Sequence, residues 1–303
     1  MQIFDTIQKT EYELSVALGF FDGIHLGHRV VIGKCKENAD DKLKTAVFTF
    51  KNSPSDMFSD NKKPMLTTNE EKFELLETLG VDIVYCIDFA EIMELTAKEF
   101  VQQILFEKLN TKCAVTGFNY HFGKGGTATA DDLKTMCDEL NIKTIKCPPQ
   151  MFDGDNISST RIRACILNGE VEKANAMLSY DFSINSPVTS GNHIGTKLNS
   201  PTINQKLSDK LIVPRFGVYA TKVIIDDKTY FGATNIGTHP TVGESEPLCE
   251  THLLNFDGKS LYGKYAKTSL LKFIRPEKKF ASLDELKNQI EIDKSQIEAF
   301  FKI

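Results

Sequence analysis

The chain has 303 residues, 41% of them hydrophobic, and 36 basic against 41 acidic residues give a formal charge of −5. That length exceeds the usual single domain, so two domains are expected, and the composition excludes a disordered chain. Mild acidity speaks against a dedicated nucleic-acid or membrane-surface binder, although a few local cations and helix N-termini suffice for a phosphorylated ligand. The seven cysteines are odd in number and form no CxxC pair, which fits reduced thiols better than a disulfide framework or a zinc site. No basic segment followed by an apolar run opens the chain, so no signal peptide is expected. No apolar run reaches the roughly 18 residues of a membrane span. A soluble cytoplasmic protein with no membrane segment is the expectation.

The first half alternates between strand and helix patterns. Residues 14–20 read as a buried strand, followed by an apolar-periodic helix over 29–38 and a second strand over 45–50. A helix follows over 69–79, with Asn69 as its N-cap and Gly80 just past its end. Further strands are expected at 81–87, 114–117 and 143–147, with helices at 96–109 and 131–140. This alternation predicts a parallel sheet covered on both faces, with ligands at the carboxyl ends of its strands. Beyond residue 180 the pattern changes. Residues 183–192 read as turn-rich, and short β-prone runs follow at 217–225, 229–234, 251–256 and 268–273. Turn signals such as Asp226-Asp227 and Asp257-Gly258 separate them. These imply a small antiparallel barrel or sandwich. Residues 282–301 read as a closing amphipathic helix, with Ser282 as N-cap and Glu285 completing a capping box.

Three segments carry chemistry. The first, Gly19-Phe20-Phe21-Asp22-Gly23-Ile24-His25-Leu26-Gly27-His28, ends a strand and opens a helix. Gly23 and Gly27 permit a tight turn and close approach to a ligand, and the helix start offers free N–H groups to phosphates. His25 and His28, three residues apart, can face one ligand, either as cations or as hydrogen-bond donors to charge developing on a phosphate. The second, 117–126, sets Phe118, Asn119, Tyr120 and Phe122 before a glycine-rich stretch holding Lys124. Alternating aromatics can line a pocket for a planar ring, and Lys124 among glycines can approach a phosphate. The third, Ile157-Ser158-Ser159-Thr160-Arg161-Ile162-Arg163, precedes a short helix that Ser158 or Ser159 can cap. Arg161 and Arg163 are fixed cations with a fork matched to phosphate oxygens. Taken singly, each segment also reads as an ordinary turn, surface loop or capped helix.

Together, in this order, they resemble the nucleotidylyltransferase superfamily in its bacterial FAD synthetase form, whose signatures are FDGxHxGH, Gly-x-Asn/Asp-Phe/Tyr-x-Phe-Gly and ISSTxIR. The resemblance implies a Rossmann-like N-terminal domain over 1–182 that transfers the AMP of ATP to FMN. FMN's phosphate attacks the α-phosphorus in line and pyrophosphate leaves, with no covalent protein intermediate. It implies His25, His28, Asn119 and Arg161 as catalytic groups, with Arg161 on the β and γ phosphates. Gly19, Phe20, Asp22, Gly23, Gly27, Ser158, Ser159, Thr160 and Arg163 fall to ATP, and Phe118, Tyr120 and Phe122 to the flavin.

The remainder, 183–303, resembles the riboflavin kinase domain that follows the transferase in bifunctional FAD synthetases. The matching pieces include Pro201-Thr202-Ile203-Asn204, 217–220, 235–241, Glu250-Thr251-His252-Leu253 and Phe273-Ile274-Arg275. This implies an antiparallel β-barrel with a terminal helix, phosphorylating riboflavin to FMN. Thr202 and Asn204 offer oxygen ligands to Mg²⁺, and Glu250 is a general base for the ribityl hydroxyl. Gly191 and Gly195 fall to ATP and Arg275 to the flavin. The preceding loop departs from the family pattern: Asn199 stands where glycine is usual, Ser200 where phenylalanine is usual, Ile203 for alanine and Thr196 for a common arginine. The expected ligands are therefore ATP with Mg²⁺, riboflavin, FMN and FAD, with no nucleic-acid partner and room for weak homo-oligomerisation. Two other readings compete: FMN adenylyltransferase alone with a weakened kinase domain, and a flavin-binding sensor without catalysis.

Overall fold

The computed structural model describes residues 1–39, 42–57, 62–189, 202–238, 247–256 and 261–303. Gly191, Gly195, Thr196, Asn199, Ser200, the 239–241 segment and the Asp257-Gly258 turn lie outside the described residues. The chain forms two compact units, Met1–Ser159 and Thr160–Ile303.

The first unit is built on a six-stranded parallel sheet. Its strands are β1 (Gln2–Phe4), β2 (Glu13–Leu18), β3 (Leu43–Phe50), β4 (Ile83–Ile87), β5 (Thr111–Gly117) and β8 (Lys143–Cys147), in the order β1-β4-β3-β2-β5-β8. Two short hairpins, β6 (His121–Phe122) with β7 (Ala128–Thr129) and β9 (Met151–Phe152) with β10 (Asp155–Asn156), lie outside this sheet. Successive side chains of a strand leave on opposite faces, and β2 shows this directly. Leu14, Val16 and Leu18 enter one buried cluster, whereas Ala17 enters a second with Val47, Val84 and Val115. The helices α1 (Leu26–Glu37), α2 (Asn69–Thr78), α3 (Ala97–Glu99) and α4 (Ala130–Asp138) connect the strands. From Phe100 to Lys108 the segment after α3 has π-helical hydrogen bonding. The chain runs outward from β2 through β3 to β4, then crosses back to place β5 on the other side of β2. The carboxyl ends of β2 and β5 therefore flank the reversal where open α/β sheets bind ligands.

Helix boundaries follow their caps. Asn69 is not the N-cap of α2. Thr68 is, because its Oγ1 accepts the Glu71 N–H at 3.1 Å and the Glu71 carboxylate accepts the Thr68 N–H at 2.8 Å. The expected cap thus moves back one residue to a complete capping box.

In the second unit, helices α5 (from Ser159 at the boundary to Asn168) and α6 (Val171–Leu178) precede the strands. Strands β11 (Ser183–Thr189), β12 (Thr202–Lys206), β13 (Gly217–Ile225), β14 (Lys228–Thr238), β15 (Pro247–Leu253) and β16 (Tyr265–Pro276) close a barrel in the order β11-β12-β15-β14-β13-β16. Pairing of β11 with β16 completes the ring and leaves no open edge. The barrel resolves the choice between barrel and sandwich. It also corrects the reading of 183–192 as turn-rich, since Ser183–Thr189 is a strand with a partner on each side. Its Ser, Asn and Pro content hid a segment whose strand character comes from two neighbouring ladders rather than from propensity. Asn175 on α6 donates to the Leu270 carbonyl at 2.8 Å, and Arg215 N–H donates to Ile166 O at 3.2 Å, so α5 and α6 belong with the barrel.

The closing helix, α7 (Leu283–Phe301), starts at Ser282, whose Oγ accepts the Glu285 N–H at 3.2 Å. The Glu285 carboxylate accepts from Ala281 rather than from Ser282, so the expected box is displaced by one residue. A buried ion pair holds α7 to β16. Arg275 donates through Nε and Nη2 to Asp293 at 2.9 and 2.7 Å, and Gln289 donates to the same carboxylate at 3.0 Å. Replacing Asp293 with Ala strands a largely buried guanidinium. Because Arg275 keeps a solvent-facing edge, the expected cost is about 2–3 kcal/mol, read as a lowered urea midpoint for the barrel unit.

Candidate functional site

In the first unit, β2 ends at Leu18 and the chain turns into α1 through residues 19–25. Three residues of that turn have positive φ: Phe21 at 55°, Gly23 at 81° and Ile24 at 38°. Phe21 and Ile24 are strained there, and strain of this kind persists only where surroundings over-determine it. Both side chains are fully buried. The Asp22 carboxylate accepts the Leu66 N–H at 2.9 Å and the Thr67 N–H at 3.3 Å, and the Asp22 carbonyl accepts the Ser159 hydroxyl at 2.9 Å. Gly23 N–H donates to Thr67 Oγ1 at 3.3 Å. Asp22 therefore shapes the turn, and Ser159 binds the turn as the first residue of α5 instead of capping that helix.

The histidines stand at the start of α1. His25 is the N-cap, its Nδ1 accepting the His28 N–H at 3.3 Å. The two rings stack at a 3.6 Å centroid distance and 17° between planes, and Phe21 meets His28 edge-on. A Cβ on Gly27 would come within 3.1 Å of the His25 ring, so glycine there makes room for the stack. No acidic residue occupies the first turn of α1, leaving its positive end uncompensated. Burial pushes the His25 imidazole down to about 4. His28 is held well below its ordinary value by burial, then by His25 and Lys72. Both rings are neutral near pH 7. Since His25 Nδ1 accepts a hydrogen bond, its proton sits on Nε2, which is then a donor.

The second segment leaves β5, the strand beside β2. Asn119 and Phe118 are exposed, with Phe118 at 43%. Phe122 is buried against Phe100, and Tyr120 stacks on Phe122 at 5.7 Å with its ring against the same core. Phe118 thus presents its ring to solvent, whereas Tyr120 and Phe122 anchor the segment. Lys124 pairs with Glu94 at 2.7 Å on the surface. Arg161 and Arg163 lie in the opening turns of α5, half-buried, within the second unit.

In the barrel, Asn204 on β12 and Asn235 on β14 each pair directly with Glu250 on β15. Directly opposed residues point to one face, so the three side chains share a face, opposite to that of the fully buried Gln205 and Thr251. Thr202, two residues from Asn204, donates its hydroxyl to Glu250 Oε1 at 3.0 Å. Ile203 packs into the barrel's apolar core with Val188, Val223 and Leu253. Arg275 uses Nε and Nη2 on Asp293 and Nη1 on the Pro276 carbonyl, so its guanidinium holds α7.

Comparison with known proteins matches the family described as FAD synthetase over residues 7–161 and that described as riboflavin kinase over 178–301. A bifunctional riboflavin kinase/FMN adenylyltransferase of Listeria monocytogenes is 37% identical, over 98% of this chain and 95% of the relative. One of Bacillus subtilis is also 37% identical, over 97% of this chain and 95% of the relative. The chain belongs to the bifunctional riboflavin kinase/FMN adenylyltransferase (FAD synthetase) family. A Streptococcus pneumoniae protein described as a macrolide-efflux protein has a crystal structure similar to this chain. Its TM-score is 0.89 at 31% identity, covering 97% of this chain and 98% of that one. Among the described residues of this chain, no helix is long and apolar enough to cross a membrane.

Two residues beside the expected groups, one in each unit, carry little signal in the sequence of this FAD synthetase-family chain. Asn235 was visible as part of a matching segment, but its place beside Glu250 needs the strand register. Lys72, fully buried on α2, carried no motif signal. The charge state of the histidines is directly measurable. In an NMR titration of the ligand-free protein, His25 is expected to stay neutral from pH 8 to 6 and to protonate only near about 4. Because that folded value lies below the unfolded one, the contribution to stability is full above about pH 6.5 and is lost as pH falls toward 4.

Proposed function

We infer that this chain makes FAD in two ATP-dependent steps, phosphorylating riboflavin to FMN in the barrel and adenylylating FMN in the α/β unit. The observation that carries the second step is the pair of stacked, neutral histidines at an uncompensated helix N-terminus. In adenylyl transfer an FMN phosphate oxygen attacks the α-phosphorus of ATP. The bond from that phosphorus to the bridging oxygen of pyrophosphate breaks. Imidazole Nε2–H groups of His25 and His28 and the N–H groups opening α1 donate to the phosphate oxygens as charge builds on them. Asn119, following the adjacent strand, orients the reacting phosphate, and Arg161 takes the β and γ phosphates, with Arg163, Ser158, Ser159 and Thr160 nearby in sequence. Gly19, Phe20, Asp22, Gly23 and Gly27 shape the ATP site, and the flavin side is formed by Phe118, with Tyr120 and Phe122 anchoring its segment to the core. We assign residues 1–182 to this activity and 183–303 to the kinase.

In the kinase, Glu250 accepts the proton of the ribityl hydroxyl as that oxygen attacks the γ-phosphorus and ADP leaves. The Thr202 hydroxyl and Asn204 amide oxygen, with Glu250 between them, form an all-oxygen set suited to Mg²⁺. Bound there, Mg²⁺ neutralises phosphate charge. Gly191 and Gly195, outside the described residues, are assigned to ATP by family resemblance, and Arg275 supports the flavin side through α7. The seven cysteines, all free and buried, support a reducing, cytoplasmic setting.

Purified protein with ATP and Mg²⁺, given FMN in one tube and riboflavin in another, tests both steps by chromatography of the flavins. FAD from both tubes is expected. FAD from the FMN tube alone reduces the second domain to a kinase relic, and no product from either leaves a flavin-binding sensor. His28→Ala is expected to lower FMN adenylylation at least about 100-fold while leaving riboflavin phosphorylation intact. Glu250→Gln is expected to do the reverse.

A further inference from the structure

Lys72 is 0% exposed. Among the described residues no carboxylate forms an ion pair with it. It sits in the first turn of α2, where the helix dipole disfavours a cation. A buried charge so placed costs stability, and an apolar residue of similar volume would ordinarily serve better. Its Nζ donates to the Phe20 carbonyl at 3.4 Å and the Phe50 carbonyl at 3.3 Å, and lies 4.7 Å from the centre of the Phe20 ring. Phe20 follows β2 and Phe50 ends β3, so one ammonium bridges the carboxyl ends of two adjacent strands. Phe20 O also accepts the Thr49 hydroxyl at 2.7 Å, which fixes the residue that enters the strained turn.

We propose that Lys72 is a positioning residue for FMN adenylylation: by bridging the Phe20 and Phe50 carbonyls it fixes the residue that enters the strand–helix turn, and its ammonium acts on the pocket of the His25–His28 pair. This rests on the adenylyl-transfer reading above. Burial pulls the Lys72 ammonium below its ordinary value, and Cys86 and Asp22 oppose that shift; His25 and Lys72 are the charged and titratable groups acting on His28. Lys72 adds to the forces holding His28 neutral. Neutral stacked rings can lie face to face without mutual repulsion, so the ammonium preserves the stack until a triphosphate brings compensating negative charge.

The test uses full-length protein with Lys72→Met, which removes charge and donors, and Lys72→Gln, which removes charge but keeps a donor. Riboflavin phosphorylation in the same preparations reports intact folding. We expect kcat for FMN adenylylation to fall about 10- to 100-fold in both variants with KM for ATP changed less, and the His28 titration by NMR to move upward toward its ordinary value. A wild-type kcat together with an unmoved His28 titration, in either folded variant, overturns the proposal. So does a loss of kcat without movement of His28, which describes a strand brace only. If the wild-type protein forms no FAD from FMN, the adenylyl-transfer reading fails. The His28 titration still reports whether Lys72 acts on that ring.

Discussion

The transferase unit depends on how Asp22 is held. Its carboxylate is 1% exposed and is bonded to two backbone N–H groups just before α2, while its carbonyl receives the Ser159 hydroxyl. These bonds fasten the end of β2, the approach to α2 and the start of α5 to one residue. Only with that fastening can Phe21 and Ile24 keep positive φ, a conformation that costs of order 1–3 kcal/mol at each non-glycine. The strain has a geometric product: the chain reverses sharply enough to aim the first turn of α1 over the sheet's carboxyl end, with His25 as cap and His28 beside it. The motif's glycines alone would permit this turn without enforcing it.

The barrel holds its site by a different device. Its interior carries polar groups satisfied by one another. Gln205 donates to the carbonyls of Ser186 and Ala266 at 3.1 and 2.8 Å, and Thr221, Thr234 and Thr251 form a run of hydroxyl contacts at 2.8 and 2.7 Å. Satisfied polar networks fix register, because a slip by one residue would turn a strand's inward-facing groups outward and leave their buried partners unpaired. Register is what sets Asn204, Glu250 and Asn235 in one row on the opposite face. The interior bonding thus positions the outward-facing groups.

Much of this was legible in the sequence, for identifiable reasons. The strands of the parallel sheet are buried on both faces, so residues 14–18 and 83–87 read as apolar runs without any partner being known. β1 was missed because three residues, two of them exposed, are too few to carry a periodic signal. Ser183–Thr189 was missed because its strand character is supplied by β12 and β16. At the site, Gly23 and Gly27 around His25 and His28 announced a strand-to-helix turn with both histidines at the helix start. Their neutrality did not follow, since it arises from burial, mutual stacking and a lysine 44 residues further along the chain. Arg275 shows the converse case. A cation near a flavin-kinase motif invites a ligand role, but Asp293 lies on a helix 18 residues away, and only the folded chain shows its guanidinium occupied there.

The two units answer one electrostatic problem with different chemistry. A chain of net charge −5 must attract triphosphates without a general field to steer them. The α/β unit offers an uncompensated helix start, its N–H donors and two neutral imidazoles. In the barrel a carboxylate, Glu250, stands beside the Thr202 hydroxyl and opposite Asn204 and Asn235 on the neighbouring strands. That difference follows from what each site does. Adenylyl transfer builds charge on phosphate oxygens, which donors stabilise directly, whereas phosphorylation of an alcohol also moves a proton off the attacking oxygen, which a base can accept.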